Sequence, residues 1–147
     1  MKVLGNSALV VSKLVSDEQR KIISLVVSRS LVSRLLGDVD VKRIEVWANV
    51  VWVLPVKGSP RFVSKARIWQ AFRETRRASA HQLVVKPSPS QLALVVNPLK
   101  GSAYTLSLDS HGHIVCGCMD YERQREVLGA SRSVCKHIFA YRIRQSS

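Results

Sequence analysis

Acidic residues are scarce in this sequence: ten Asp and Glu stand against 23 Lys and Arg in 147 residues, a formal net charge of +13. Six of the ten carboxylates lie within two residues of a basic one, and they supply no complete acidic set for two-metal nuclease chemistry. No glycine-rich phosphate cradle is present, because Lys57-Gly58-Ser59 lacks the nucleotide-binding spacing. Ser, His and Asp residues form no local catalytic signature. No apolar run reaches bilayer-spanning length. The opening MKVLGNSALVVSKLV carries a short apolar patch broken by Asn6, Ser7, Ser12 and Lys13, with no small-residue cleavage site after it. The expectation is an intracellular protein, cytoplasmic or, in a eukaryote, nuclear, and not an enzyme. Cysteine is limited to three residues, and an odd number in a reducing compartment argues against a disulfide framework.

Apolar residues make up 46% of the chain, enough for a packed core and too many for a disordered tail. The length suits about one average domain. The positive charge is concentrated. Residues 57–86 hold Lys57, Arg61, Lys65, Arg67, Arg73, Arg76, Arg77 and Lys86 against Glu74 alone, +7 in thirty residues. Such self-repulsion in a folded chain points to a polyanionic partner. Nucleic acid is the first expectation. An anionic membrane surface is the rival, but no basic amphipathic helix offers a clean lipid-facing side.

The three cysteines are not scattered. Cys116-Gly117-Cys118, then sixteen residues, then Cys135-Lys136-His137 place three thiols and one imidazole in two pairs, a full tetrahedral set for one zinc ion. Each pair is separated by one residue, where the common zinc knuckle has two. Residues two apart on a strand share a face, so Cys116 and Cys118 can both reach a metal if the chain is extended there, with Gly117 permitting close approach or a bend. The second pair stands where a helix should begin, ahead of Ile138, Phe139, Tyr141, Arg142, Ile143 and Arg144. A strand-end pair meeting a helix-start pair closes a ββα-like unit around one structural ion. His111 and His113 flank the first pair as rival ligands to His137, and ordinary core cysteines are the bland alternative.

This pattern of CxC, a gap and CxH resembles the SWIM zinc finger over roughly residues 113–143, and the words CMDY and CKHIFAY are similar to that family. The resemblance implies a ββα fold, a structural zinc and binding of DNA or of another protein. Members occur in transposases, in bacterial helicase-associated proteins, in ubiquitin-ligase-like proteins and in recombination accessory factors. Many members place a glycine closer to the third cysteine than Gly129, which lies six residues before Cys135, and the gap here is long and charged, with Glu122, Arg123, Arg125 and Glu126.

Elsewhere, Ser16-Asp17-Glu18-Gln19 reads as a capping box opening a helix that runs to Leu36 and stops at Gly37. Residues 41–56 read as strand, with Trp47 and Trp52 in the run and Ala48-Asn49 as a bulge or a turn. Pro55 and Lys57-Gly58-Ser59-Pro60 end it. A second helix covers 65–79, and short strands follow around 83–86, 92–96, 104–108 and 113–116. The expected fold class is α+β. A helix–strand–helix unit (residues 1–86) packs with a small antiparallel sheet and a C-terminal ββα zinc module (residues 87–147), the boundary falling at Pro87-Ser88-Pro89-Ser90.

On a helical wheel of 65–79, Ile68, Ala71, Phe72 and Thr75 face a core. Lys65, Arg73, Arg76 and Arg77 lie on the other side, with Trp69 among them. Those cations suit phosphates, and Trp69 offers a ring to an unpaired base. The bland reading makes Trp69 the edge of the core and the charges a solvated face. In the zinc unit, Lys136, Arg142 and Arg144 either balance three thiolates around a dication or join the nucleic-acid surface. The function expected is nucleic-acid binding, DNA ahead of RNA, by a protein with one structural Zn2+, as an accessory in DNA transactions such as recombination or transposition. The alternative is a protein–protein adaptor built on the SWIM-like module.

Overall fold

In the computed structural model, residues 2–3, 9–12 and 15–147 are described; residues 4–8 and 13–14 of the N-terminal apolar patch lie outside them. The fold is α+β, with five α-helices and two sheets among the described residues. The chain divides into two compact units, Met1–Phe72 and Arg73–Ser147.

The first unit is built on a five-stranded sheet in sequence order: β1 (Lys2–Val3), β2 (Leu9–Val11), β3 (Val41–Val46), β4 (Val50–Pro55) and β5 (Arg61–Ser64). β2 and β3 are parallel, and the other neighbours are antiparallel. Parallel neighbours require a crossover, supplied here by α1 (Asp17–Val26) and α2 (Arg29–Leu35). The pleat sends Ile44, Val46, Val51, Val53 and Val63 to one face, where they pack with Ile23 and Val26 of α1, Leu31 and Val32 of α2, and Ile68 and Phe72 of the third helix.

One expectation is corrected here. The helix expected over 16–36 is two helices. Ser16 caps α1 through Gln19 N–H, but Val27 is extended, and the Ser28 hydroxyl accepts from Leu31 N–H to start α2. An internal N-cap offers the backbone an alternative to continuing the helix, and the break lets apolar residues that cover more than one face of a single helix reach one core. Of the two alternatives for Ala48-Asn49, the turn is the one formed: residues 41–56 make a hairpin, with Trp47 N–H bonded to Val50 carbonyl across it. β5, which follows Pro60, was not anticipated.

α3 (Lys65–Ala80) begins in the first unit and ends in the second. The second unit continues with an antiparallel sheet, β6 (Val84–Lys86), β7 (Ala93–Val96), β8 (Ala103–Leu108) and β9 (Ile114–Cys116), in that order. Then come α4 (Met119–Leu128), a 3-10 turn (Ala130–Arg132) and α5 (Lys136–Gln145). Pro87-Ser88-Pro89-Ser90 therefore lies inside this unit, linking the paired strands β6 and β7, and the division of the chain falls earlier, within α3. The long charged gap is a helix, α4, ended by Gly129 at φ 80°. The second core gathers Ala80, Val95, Leu106, Tyr121, Ile138, Phe139 and Ala140 around the three cysteines.

Candidate metal centre

The β8–β9 hairpin delivers the first ligand pair. Its turn is tied by Asp109, whose Oδ1 accepts from the backbone N–H of His111 at 2.8 Å and of His113 at 2.9 Å, and whose Oδ2 lies 3.3 Å from His113 Nδ1. The hydrogen bond from His113 N–H, chiefly, holds the Asp109 carboxyl below its ordinary value. β9 ends at Cys116, and Cys118 keeps an extended backbone at φ −75°, ψ 156°. Both thiols are thus directed into the same core, as two-residue periodicity requires. The suggested part for Gly117 is corrected: a Cβ there would meet nothing within 4 Å, and its φ is not positive.

Two helix N-termini complete the site. Cys118 is the N-cap of α4, its Sγ accepting from Tyr121 N–H at 3.4 Å. Cys135 is the N-cap residue of α5, and His137 lies in that helix's first turn. Each helix start carries a partial positive charge that favours a thiolate.

Cys116, Cys118, Cys135 and His137 are all buried, and their four donor atoms lie within 4.8 Å of one another. His137 Nδ1 lies 3.7 Å from both Cys116 Sγ and Cys135 Sγ. A tetrahedral zinc with Zn–S near 2.3 Å and Zn–N near 2.0–2.1 Å separates its sulfur and nitrogen donors by about 3.6 Å. The residues present therefore fit one metal ion, with zinc favoured by three soft sulfurs and one imidazole. His137 is packed by Tyr104, with ring centroids 4.8 Å apart. His111 and His113 are not in this group.

The thiols alone cannot ionise together. Cys118 is drawn well below an ordinary thiol by hydrogen bonds from Cys116 and then Cys135. Cys116 is pushed up to about 11, chiefly by its hydrogen bond to Cys118. Cys135 is pushed up by its hydrogen bonds with Cys116 and Cys118. A dication at the centre of the three sulfurs would reverse this ordering, because it turns mutual repulsion into shared attraction.

Residues beyond the ligands hold the two pairs in register. Gln124, 2% exposed, receives Val134 N–H on Oε1 at 3.0 Å and donates Nε2 to Val134 carbonyl at 3.1 Å. The same Nε2 donates to Asp120 Oδ2 at 3.1 Å. Arg76 grips Asp120 with two parallel hydrogen bonds, Nε to Oδ2 at 2.9 Å and Nη2 to Oδ1 at 2.7 Å. Gln124 gives no sequence signal, since a lone glutamine on a helix is usually solvated. The first-turn acids Asp120 and Glu122 after Cys118 do mark a helix start.

The other residues singled out in the sequence are placed as follows. Trp69 packs against the first core, edge-on to Phe72 at 5.8 Å, which matches the bland reading. Lys65 Nζ donates to Ala48 carbonyl at 2.7 Å. Arg73 and Arg77 are exposed. Arg77 lies 3.6 Å from Glu74 and its guanidinium stands over the Phe139 ring, 5.4 Å from the centroid. On α5, Arg142 and Arg144 are exposed and Lys136 is half-buried. Among the described residues no helix is long and apolar enough to cross a membrane.

The residues 113–145 thus form a zinc-finger-like module around a buried Cys3His cluster able to hold one metal ion. No family model, curated protein or solved structure matches the chain.

Proposed function

We propose that the chain carries one structural zinc in a SWIM-like module and binds nucleic acid, DNA ahead of RNA, through basic side chains of that unit. The observation that carries the metal is the closeness of four buried donors contributed from both ends of a sixteen-residue gap. Four protein donors fill a tetrahedron and leave no position for an activated water, which favours a structural over a catalytic ion. The polyanion reading rests on the excess of 23 basic over 10 acidic residues. In the second unit, exposed Arg73, Arg77, Arg142 and Arg144, with Lys136, are the side chains suited to phosphates. Arg76 has a structural task in its fork on Asp120.

The test is affinity for DNA and RNA as a function of salt. Each phosphate-contacting cation removed should lower the salt slope by about one, so Arg73→Gln with Arg77→Gln should flatten it by about two. No binding at low salt would leave the adaptor reading in its place.

A further inference from the structure

The face of the first sheet that looks away from its core carries an aromatic cluster that the zinc unit does not use. The register sets Glu45 opposite Trp52 and Trp52 opposite Phe62, so all three point away from the buried valines. Trp47, just past β3, stacks on Trp52 with centroids 6.4 Å apart and planes within 7°, and meets Phe62 edge-on at 5.5 Å. Phe62 is 61% exposed and Trp47 37%. Three touching rings on open surface are unusual for an isolated fold.

We propose that this face is a stacking platform for the bases of single-stranded nucleic acid, with Trp47 and Phe62 as the contacting rings. The proposal rests on the nucleic-acid reading above and adds the strand state and the surface. The rings are held in place. Trp47 Nε1 donates to Glu45 Oε1 at 3.3 Å, and the other carboxylate oxygen takes Arg43 Nε at 3.1 Å. Glu45 is also the one acid in residues 41–67, against Lys42, Arg43, Lys57, Arg61, Lys65 and Arg67. Cations border the platform: Arg43 stands beside Glu45 on the same face, and Lys65 is anchored on Ala48 carbonyl next to Trp47. Aromatic faces among cations suit a ligand with planar bases on an anionic backbone. A duplex hides its base faces, whereas a single strand can splay them onto a ring. A second copy of this chain fits poorly, since it would bring another +13 against the same rim. A bilayer fits poorly as well, because Trp52 and Phe62 lie on paired strands and Trp47 stacks back on Trp52.

The full-length zinc-loaded protein is titrated with oligothymidylate, with an abasic oligomer of equal phosphate number and with a duplex, by anisotropy and tryptophan fluorescence. Oligothymidylate should bind at least about fivefold tighter than the abasic oligomer and quench the tryptophans. Phe62→Ala should weaken oligothymidylate by about five- to tenfold, leaving the abasic affinity and the salt slope unchanged. Equal binding of thymidylate and abasic oligomers by the wild type overturns the platform without needing any variant. So does an unaltered thymidylate affinity in Phe62→Ala, including the case where that change removes self-association, vesicle binding or a protein contact instead. Failure of every oligomer to bind defeats the nucleic-acid reading itself.

Discussion

The side-chain amide of Gln124 hydrogen-bonds both backbone groups of Val134, the residue before Cys135, at 3.0 and 3.1 Å. A helix that starts at one ligand pair thereby grips the chain that enters the other. Gln124→Leu keeps the bulk and leaves the Val134 N–H and C=O without these partners, which costs about 1–3 kcal/mol. Loss of such outer support also lowers metal affinity by about 10–100-fold. Thermal unfolding and zinc competition with a chromophoric chelator check both values.

Metal removal should act on one unit. The first core contains no cysteine, and all three tryptophans lie within residues 1–72. Cys135→Ser, or a strong chelator, should abolish stoichiometric zinc and expose amides of residues 113–145 to hydrogen exchange. Protection in β3 and β4 should persist. Tight zinc retained by Cys135→Ser would contradict the ligand set.

Zinc uptake should release about two protons near neutral pH. Without metal, Cys116 at about 11 and the raised Cys135 keep their protons, whereas Cys118 is drawn below an ordinary thiol. Both protons must leave before three thiolates can bind. Affinity should therefore rise with pH, by about a hundredfold per unit. Calorimetry in buffers of different ionisation enthalpy counts the protons.

Arg76 and Asp120 should couple in a double-mutant cycle by about 1 kcal/mol. The fork is bidentate, but its side chains are 20% and 35% exposed, so solvent screens part of the attraction. Arg76→Gln should lower stability and zinc affinity, whereas Arg73→Gln should lower the affinity for a polyanion without the loss of zinc affinity. Equal effects of both changes on nucleic acid would return Arg76 to the phosphate surface.

Acid should weaken the β8–β9 hairpin through Asp109. A carboxyl held below its ordinary value contributes stability above about pH 4, and that contribution disappears as pH falls through its folded value. Asp109→Asn should remove this component and loosen the turn that feeds Cys116, seen as faster amide exchange at His111 and His113.

Much of this was legible in the residue order. The ligand set was, because every cysteine falls in two tight pairs and zinc chemistry restricts the partners. The strands over 84–86, 93–96, 103–108 and 114–116 were also legible, since prolines, glycines and asparagine separate short β-branched runs. α4 was obscured because its charged surface looks like a loop and its buried residues, Tyr121, Gln124 and Leu128, are few. The break at Val27 was obscured because one serine cap amid apolar residues competes with continuing the helix, and packing of both segments on one sheet decides it. The aromatic cluster could not be read at all. Trp47 and Trp52 are near in sequence, but Phe62 joins them only through the register of β4 with β5.

The sequence by itself determined the composition of the Cys3His cluster, the basic balance and the α+β class, since these follow from residue types and short-range periodicity. Only the tertiary structure decided that two helix starts converge on the sulfurs, that Arg76 is held by Asp120, and that three rings share one open face. Each of those relations joins residues whose separation along the chain carries no information about their distance in space.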